Sequence, residues 1–412
     1  MGKRNLTKQI PILGVPLILS LVGCGEESLP IRGPVRPWDS VTVERYITSA
    51  GEAEDVQRSV QWALSPEPTL ELGANHGGDS HLFGLVRGGV MLPDGGIVVA
   101  DVHESALVYF DERGGLRTVA GGPGEGPGEF ELLFWLGECA PDSIYAYDAG
   151  LGRASVFSTQ GEFERSFPLV APGGVPVDPP RCSTEGLLVA KGFPTWEDAP
   201  EVGRWVPEIP IFILDGGGKA DSIIAAFPYR DYIGRGSEPI SSPLASEAFV
   251  EVFRERLFLA YSDRYEIGVF SLDGTPSAVF GLDLPLRPVS SEDSEAYVEE
   301  NVEGLEGPVA QRWGSFLTEH IPEHFPFFDR VLAVSNGDIW VRRYPSSIDE
   351  NHWWDVFSGT GGFPYIGSIQ VPRAFDIFQV RDGLVAGQWV GEFDEDRIRV
   401  YRLQYMEEAN SR

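Results

Sequence analysis

Cysteine is scarce in this chain: three in 412 residues are too few for a zinc cluster and allow one disulfide at most. Basic side chains are scarce too, with 32 Lys and Arg against 62 Asp and Glu. Nucleic-acid binding rests on neutralising phosphates with cations, so a chain this acidic excludes it. Long apolar runs are missing after the first two dozen residues, where nothing approaches the roughly 20 residues of a membrane-spanning helix. Familiar catalytic motifs are missing as well. No Gly-x-Ser-x-Gly elbow nominates a nucleophile. His320 and His324 have the i, i+4 spacing of a helical metal pair, but Pro322 lies between them and the HExxH order is absent. The glycine-rich run Gly121 to Glu129 lacks the Lys-Ser/Thr of a phosphate loop and reads as a turn.

The start of the chain is built differently from the rest. Lys3, Arg4 and Lys8 precede an apolar run from Ile10 to Leu21, and Leu21-Val22-Gly23-Cys24 follows. A basic region, a short apolar core and small residues at a cleavage site make residues 1–23 a secretory signal. Leu-Val-Gly before a cysteine resembles the lipobox of bacterial lipoproteins, which implies that Cys24 is diacylated and becomes the new N-terminus. One acyl chain gives only reversible membrane binding; durable anchoring takes more than one. Gly25, not Asp, follows Cys24, which points to the outer membrane, periplasmic or surface-facing, with the inner membrane as the alternative. Without the signal the chain carries 29 basic and 62 acidic residues, a formal charge of −33. Residues 24–65 are read as a tether and N-terminal extension.

From about residue 66 one unit recurs six times. Its first landmark is a short apolar strand, here called B: Ile97 to Ala100, Ile144 to Tyr147, Leu187 to Ala190, Leu257 to Ala260, Ile339 to Val341, and Leu384 to Ala386. Its second landmark, strand C, ends at Phe110, Phe157, Leu214, Phe270, Phe357 and Tyr401. Glycine-bearing turns such as Pro93-Asp94-Gly95-Gly96 and Leu272-Asp273-Gly274 bracket them, supplying positive φ and local caps. The spacing from one B strand to the next is 47, 43, 70, 82 and 45 residues. The short values suit a four-stranded propeller blade, and the long ones require insertions. A strand A precedes each B and a strand D follows each C, except in the sixth unit, which stops at about Tyr405 straight after its C strand. An orphan strand at Thr69 to Leu72 supplies the missing outer strand.

The run Gly95 to Asp101, then Leu107 to Asp111, then Gly121 to Phe130 resembles the blade and blade-to-blade link of NHL-type six-bladed propellers. The resemblance implies an all-β fold: residues 66–405 as a six-bladed β-propeller of four-stranded blades, closed by the N-terminal strand. A small helical insertion, 286–326, falls between blades four and five, where Ser290 and Asp293 can cap a helix. Fold alone assigns no activity.

Because antiparallel strands alternate direction, the B-to-C and D-to-A connections emerge at one end, and nearly every long connection lies there. Loops on a rigid scaffold are where binding residues concentrate. The candidate ligand-binding residues at that end are Asp101, Asp148, Arg342, Arg343, Tyr344, His352, Trp353 and Trp354, with Trp196, Trp205, Tyr229 and Tyr232 in neighbouring loops. Arginine with aromatics suits recognition of a sugar, peptide or carboxylate. Asp101 and Asp148 share one position in successive units and could serve calcium or general-base chemistry; a structural role bonding loop backbone is the simpler reading. Lys191, Tyr261, Arg343 and Gln388 stand at the corresponding points later, poor company for a divalent cation. No catalytic residue, metal site or cofactor is therefore expected, calcium being disfavoured. Cys139 and Cys182 match in position and are expected to bond in an oxidising compartment. The expected protein is a monomeric binding or scaffolding module for a protein, peptide or glycan, attached to the membrane through Cys24. A propeller-type hydrolase or lyase with an axial site is the alternative.

Overall fold

The computed structural model describes residues 34–73, 81–171, 177–235, 238–391 and 395–407. The signal and Cys24 lie outside them. The chain's recurring element is a sheet of four antiparallel strands whose spatial order follows the sequence. Val86–Met91, Ile97–Asp101, Ala106–Phe110 and Leu116–Gly121 form the first. Leu133–Ala140, Ser143–Asp148, Arg153–Ser158 and Phe163–Pro168 form the second. The third, fourth and fifth units begin at Arg181, Ala248 and Phe328 and end at Pro228, Asp283 and Pro372. A last set, Phe375–Arg381, Leu384–Val390 and Asp396–Glu407, receives Leu70–Leu72 antiparallel on its outer strand, with Ile398 opposite Leu72.

The apolar B strands are buried on both faces; all five residues of Ile97–Asp101 are inaccessible, as a continuous apolar run bounded by turns requires. Side chains of neighbouring units share cores. Val98, Leu107 and Tyr109 of the first unit pack with Phe130, Leu136 and Ile144 of the second, and Ala386, Ile398 and Val400 of the last pack with Val99, Val108 and Phe110 of the first. Each such side chain contributes roughly 1.5–3 kcal/mol on burial. The turn from C to D is set by Asp111, whose carboxylate accepts from Arg113 N at 2.9 Å and Gly115 N at 2.8 Å while Gly114 takes φ 85°, a conformation only glycine adopts cheaply.

The tether reading of 24–65 is corrected over residues 34–65, which are folded against the sheets. Arg36 is fully buried and paired with Asp263, and Trp38, at 2% exposure, packs against Phe227 and Phe270. Glu44–Ser49 then adds a parallel fifth strand to the fourth unit. Helix α1, Ala50–Ser59, follows, and Val60–Leu64 inserts between the outer strand of the fifth unit and the long C strand of the last. Apolar Trp38 and Ala53 explain why this segment docks in spite of its acidic composition.

Between the fourth and fifth units lie helices α2, Ser291–Val302, and α3, Gly307–His320. Ser290 and Asp293 form a reciprocal capping box at the start of α2, worth about 1 kcal/mol. His320 Nδ1 lies 2.9 Å from the Phe316 carbonyl, one turn back, while the backbone of His324 bridges to Pro288 beyond the helix.

Candidate functional site

The short C-to-D and A-to-B turns lie at one end of the sheets, and the long connections at the other. Two of these long connections, from the third unit and from its exit, build a small sheet of their own from Gly203–Trp205, Tyr232–Gly234 and Ile240–Ser241. The sheet gathers four aromatic residues 36 positions apart at most. Trp196 meets Trp205 edge-on with centroids 5.8 Å apart and Tyr232 at 5.2 Å, Trp205 lies 6.2 Å from Tyr232, and Tyr229 stacks 6.4 Å from Tyr232. Lys191 Nζ sits 5.6 Å from the Tyr229 ring centre. Arg204 Nη2 donates to both carboxylate oxygens of Asp231, at 2.9 and 2.8 Å, and pins the sheet to the scaffold, where the Tyr261 hydroxyl donates to the same carboxylate at 2.6 Å. Arg230 pairs with Glu247 beside it. Burial, then the nearby Asp178 carboxylate, pushes the Tyr229 hydroxyl well above its ordinary range, so it stays a neutral donor. Clustered, partly exposed rings with little entropy to lose provide contact area for an apolar or sugar surface.

The other sequence-predicted residues are divided by the structure. Asp101 and Asp148 are fully buried. The Asp148 carboxylate accepts from the backbone N–H groups of Glu131, Leu132, Gly150 and Leu151 at 2.8–3.1 Å. Asp101 accepts from His103 N at 3.1 Å and faces His81 Nε2 at 3.0 Å. Asp148 spends both oxygens on loop backbone, and Asp101 spends one on backbone and one on His81, contacts of the kind a structural residue makes. Arg342 is buried between Asp329, at 2.7 and 2.8 Å, and Asp376, at 2.7 Å. Arg343 grips Asp355 at 2.8 Å through two nitrogens, and Tyr265 donates to Asp355 at 2.5 Å. Trp354 is fully buried and His352 is 8% exposed. As ligand contacts at the surface, Arg342, His352 and Trp354 are therefore corrected: packing and ion pairing take them. Tyr344 is half-buried, and Trp353 alone of the set is well exposed, with Arg343 5.6 Å from its ring centre. Cys139 and Cys182 are bonded across the first strands of adjacent units, with Cα atoms 5.1 Å apart.

Sequence reading missed a set of ion pairs that tie the first strands of different units together. Arg381 reaches Glu138 at 2.7 Å, Arg181 reaches Glu251 at 3.0 Å, and Arg330 reaches Asp376 at 2.5 Å. Burial raises the Glu251 and Asp329 carboxyls despite Arg181 and Arg342 beside them, whereas at Asp376 the opposing effect of burial is outweighed by Arg330 and Arg342, which hold it low. The partners stand 46 to 243 residues apart, so no local motif announces them. Among the described residues, no cluster of three or more His, Cys, Asp or Glu side chains is arranged to hold a metal ion.

Four-stranded antiparallel units packed side by side, with loops elaborated at one end, define the class: the chain is a β-propeller. No protein-family model and no curated protein matches it. Among solved structures it is similar to a member of the DUF4221 family from Bacteroides vulgatus, with a TM-score of 0.50 at 13% identity, covering 85% of this chain and 99% of that one. It is also similar to a virginiamycin B lyase from Staphylococcus aureus, TM-score 0.38 and 10% identity over 84% of this chain and 96% of that one. The calcium-binding protein regucalcin from Agrobacterium tumefaciens gives 0.36 and 11%, over 78% and 92%. Identities this low concern the fold alone.

Proposed function

We propose that the protein is an exported, lipid-anchored, six-bladed β-propeller that binds or scaffolds a protein, peptide or glycan at its loop-rich end. Six repeated B and C strands, together with the pairing of Leu70–Leu72 to the last unit, support six blades closed by an N-terminal strand, with α2 and α3 as the insertion between blades four and five. The signal-like start and Cys24 support export and anchoring, with the outer membrane favoured. The observation that carries the binding reading is the Trp196, Trp205, Tyr229 and Tyr232 cluster, built by insertions that the scaffold itself does not need. The candidate acids Asp148, Asp329 and Asp355 at the same end are already bonded to backbone or to Arg342 and Arg343, which favours contact area over acid–base chemistry at those positions.

Elemental analysis of the purified mature domain, with melting scans in calcium and in chelator, tests this against the enzyme alternative. The binding reading expects no stoichiometric metal and the same melting temperature in both. A bound divalent ion with a large calcium-dependent stabilisation would overturn it.

A further inference from the structure

The N-terminal segment joins the fold at the loop-rich end. Arg36 pairs with Asp263 and lies 5.9 Å over the Tyr261 ring; Tyr261 ends strand B of the fourth unit, and Asp263 lies in the connection that follows it. Tyr261 in turn donates to Asp231, which holds Arg204 of the small aromatic sheet. The point where the chain enters the fold is thus linked by three successive side-chain contacts to the loop that carries Trp205. Nine residues, 25–33, lie between Cys24 and Pro34, and the ten residue-to-residue steps reach at most about 33–36 Å when fully extended. The eight-residue strand Pro276–Asp283 spans the sheets from end to end, roughly 26 Å at 3.3 Å per residue. Placing the short-turn end against a bilayer would consume most of that reach; placing the loop-rich end there consumes little.

The apolar surface is distributed in the same sense. At the loop-rich end Phe193 is 44% exposed, Trp196 39%, Val202 84% and Leu286 54%, and Val35, next to the buried Arg36, is 61% exposed. At the opposite end the short turns themselves expose no large apolar side chain among the described residues, and the exposed apolar groups beside them, Leu116 at 43% and Phe163 at 37%, begin the outer strands of two separate units. Solitary exposed apolar groups need no explanation, but a set gathered at one end marks a contact surface. Tryptophan beside aliphatic residues suits the interfacial zone of a bilayer, where a ring can keep its N–H wet. The occupant is a lipid surface of low charge, since the mature chain's −33 is repelled by anionic headgroups.

We infer that the loop-rich end is turned toward the membrane holding the anchor, with Phe193, Trp196, Val202 and Val35 resting on the bilayer interface. This rests on the reading of Cys24 as the anchor. It also sharpens the binding reading, because a partner of the aromatic sheet is then met at the membrane surface. Trp196 has a double position: its edge caps Trp205 and Tyr232, and its outer part reaches lipid.

The test compares hydrogen–deuterium exchange of the full-length lipidated protein on vesicles of phosphatidylcholine and phosphatidylethanolamine with that of the mature domain carrying Cys24→Ala in solution. The expected result is slowed exchange in the peptide spanning 192–206 on vesicles, unchanged exchange in the turns at 111–115 and 215–219, and loss of the slowing in a lipidated Trp196→Asp, Val202→Asp variant that still floats with the vesicles. Protein that floats but is protected at the short turns, or nowhere, overturns the orientation alone. Protein that fails to float overturns the anchor and the orientation together.

Discussion

Replacing His352 by leucine should flatten the acid branch of the protein's stability. The imidazole is 8% exposed and its Nδ1 has no hydrogen-bond partner among the described residues. Burial first, and then the Arg342 guanidinium, pushes its pKa down to about 3 from an ordinary 6.5. The unfolded chain therefore holds a proton at this position between those two values while the folded chain does not. The resulting stability is complete above pH 6.5 and is lost as pH falls from 6.5 toward 3. At pH 5, about 1.5 units below the unfolded value, folding must expel that proton at a cost of roughly 2 kcal/mol. The assay is urea unfolding at pH 7.5 and at pH 5 for the wild type and for His352→Leu. The carboxyls raised by burial, Glu251 and Asp329, titrate in both proteins and largely cancel in the difference. The wild type should lose about 2 kcal/mol more than the variant between the two pH values. An equal loss in both would refute the claim that His352 is buried and neutral.

Three further perturbations address the scaffold. Arg342→Met strands the Asp329 carboxylate and leaves Asp376 with Arg330 alone; it should cost about 3–5 kcal/mol in urea unfolding, with much of it recovered when Asp329 is also made Asn; no recovery would show that the cost lies in lost packing. Asp148→Ala removes the acceptor of four backbone N–H groups and should cost at least about 2 kcal/mol by thermal melting, whereas a neutral outcome would contradict its structural role. Opening the Cys139–Cys182 bond, whose partners are 43 residues apart, should cost up to about 4 kcal/mol by chain-entropy reckoning. Unfolding with and without reductant, with the Cys139→Ala, Cys182→Ala protein as the insensitive control, reads it directly.

Much of this fold is legible in the sequence because a propeller repeats itself: the strands from Ile97, Ile144, Leu257 and Ile339 are buried apolar runs bounded by short polar turns, with glycine in the turns before Ile97 and Ile339, and periodicity survives insertion. Leu70–Leu72 was readable as an outer strand because the last unit lacked one. The docking of residues 34–65 was not readable, since Glu44–Ser49 is a solvated strand that gains its place only from a parallel partner more than 200 residues away. The candidate site was legible in part. Trp196, Trp205, Tyr229 and Tyr232 stood out as aromatics in long loops, but their convergence depends on pairing between two insertions. Arg342, His352 and Trp354 misled for a physical reason: a strand end rich in Arg and Trp looks the same whether it faces a ligand or a carboxylate brought in from elsewhere, and Asp329 and Asp376 decide the matter.

Binding at the loop-rich end is tested most directly by placing a photo-crosslinking amino acid at Asp198, beside the aromatic sheet, and separately at Gly217, in a turn of the opposite end, in cells that export the full chain. Both positions are exposed. An adduct of higher mass should form from position 198 and disappear when Trp205 and Tyr232 are both changed to Ala, with none from position 217. Adducts from 217 alone, or adducts from 198 that are indifferent to the aromatic pair, would contradict it.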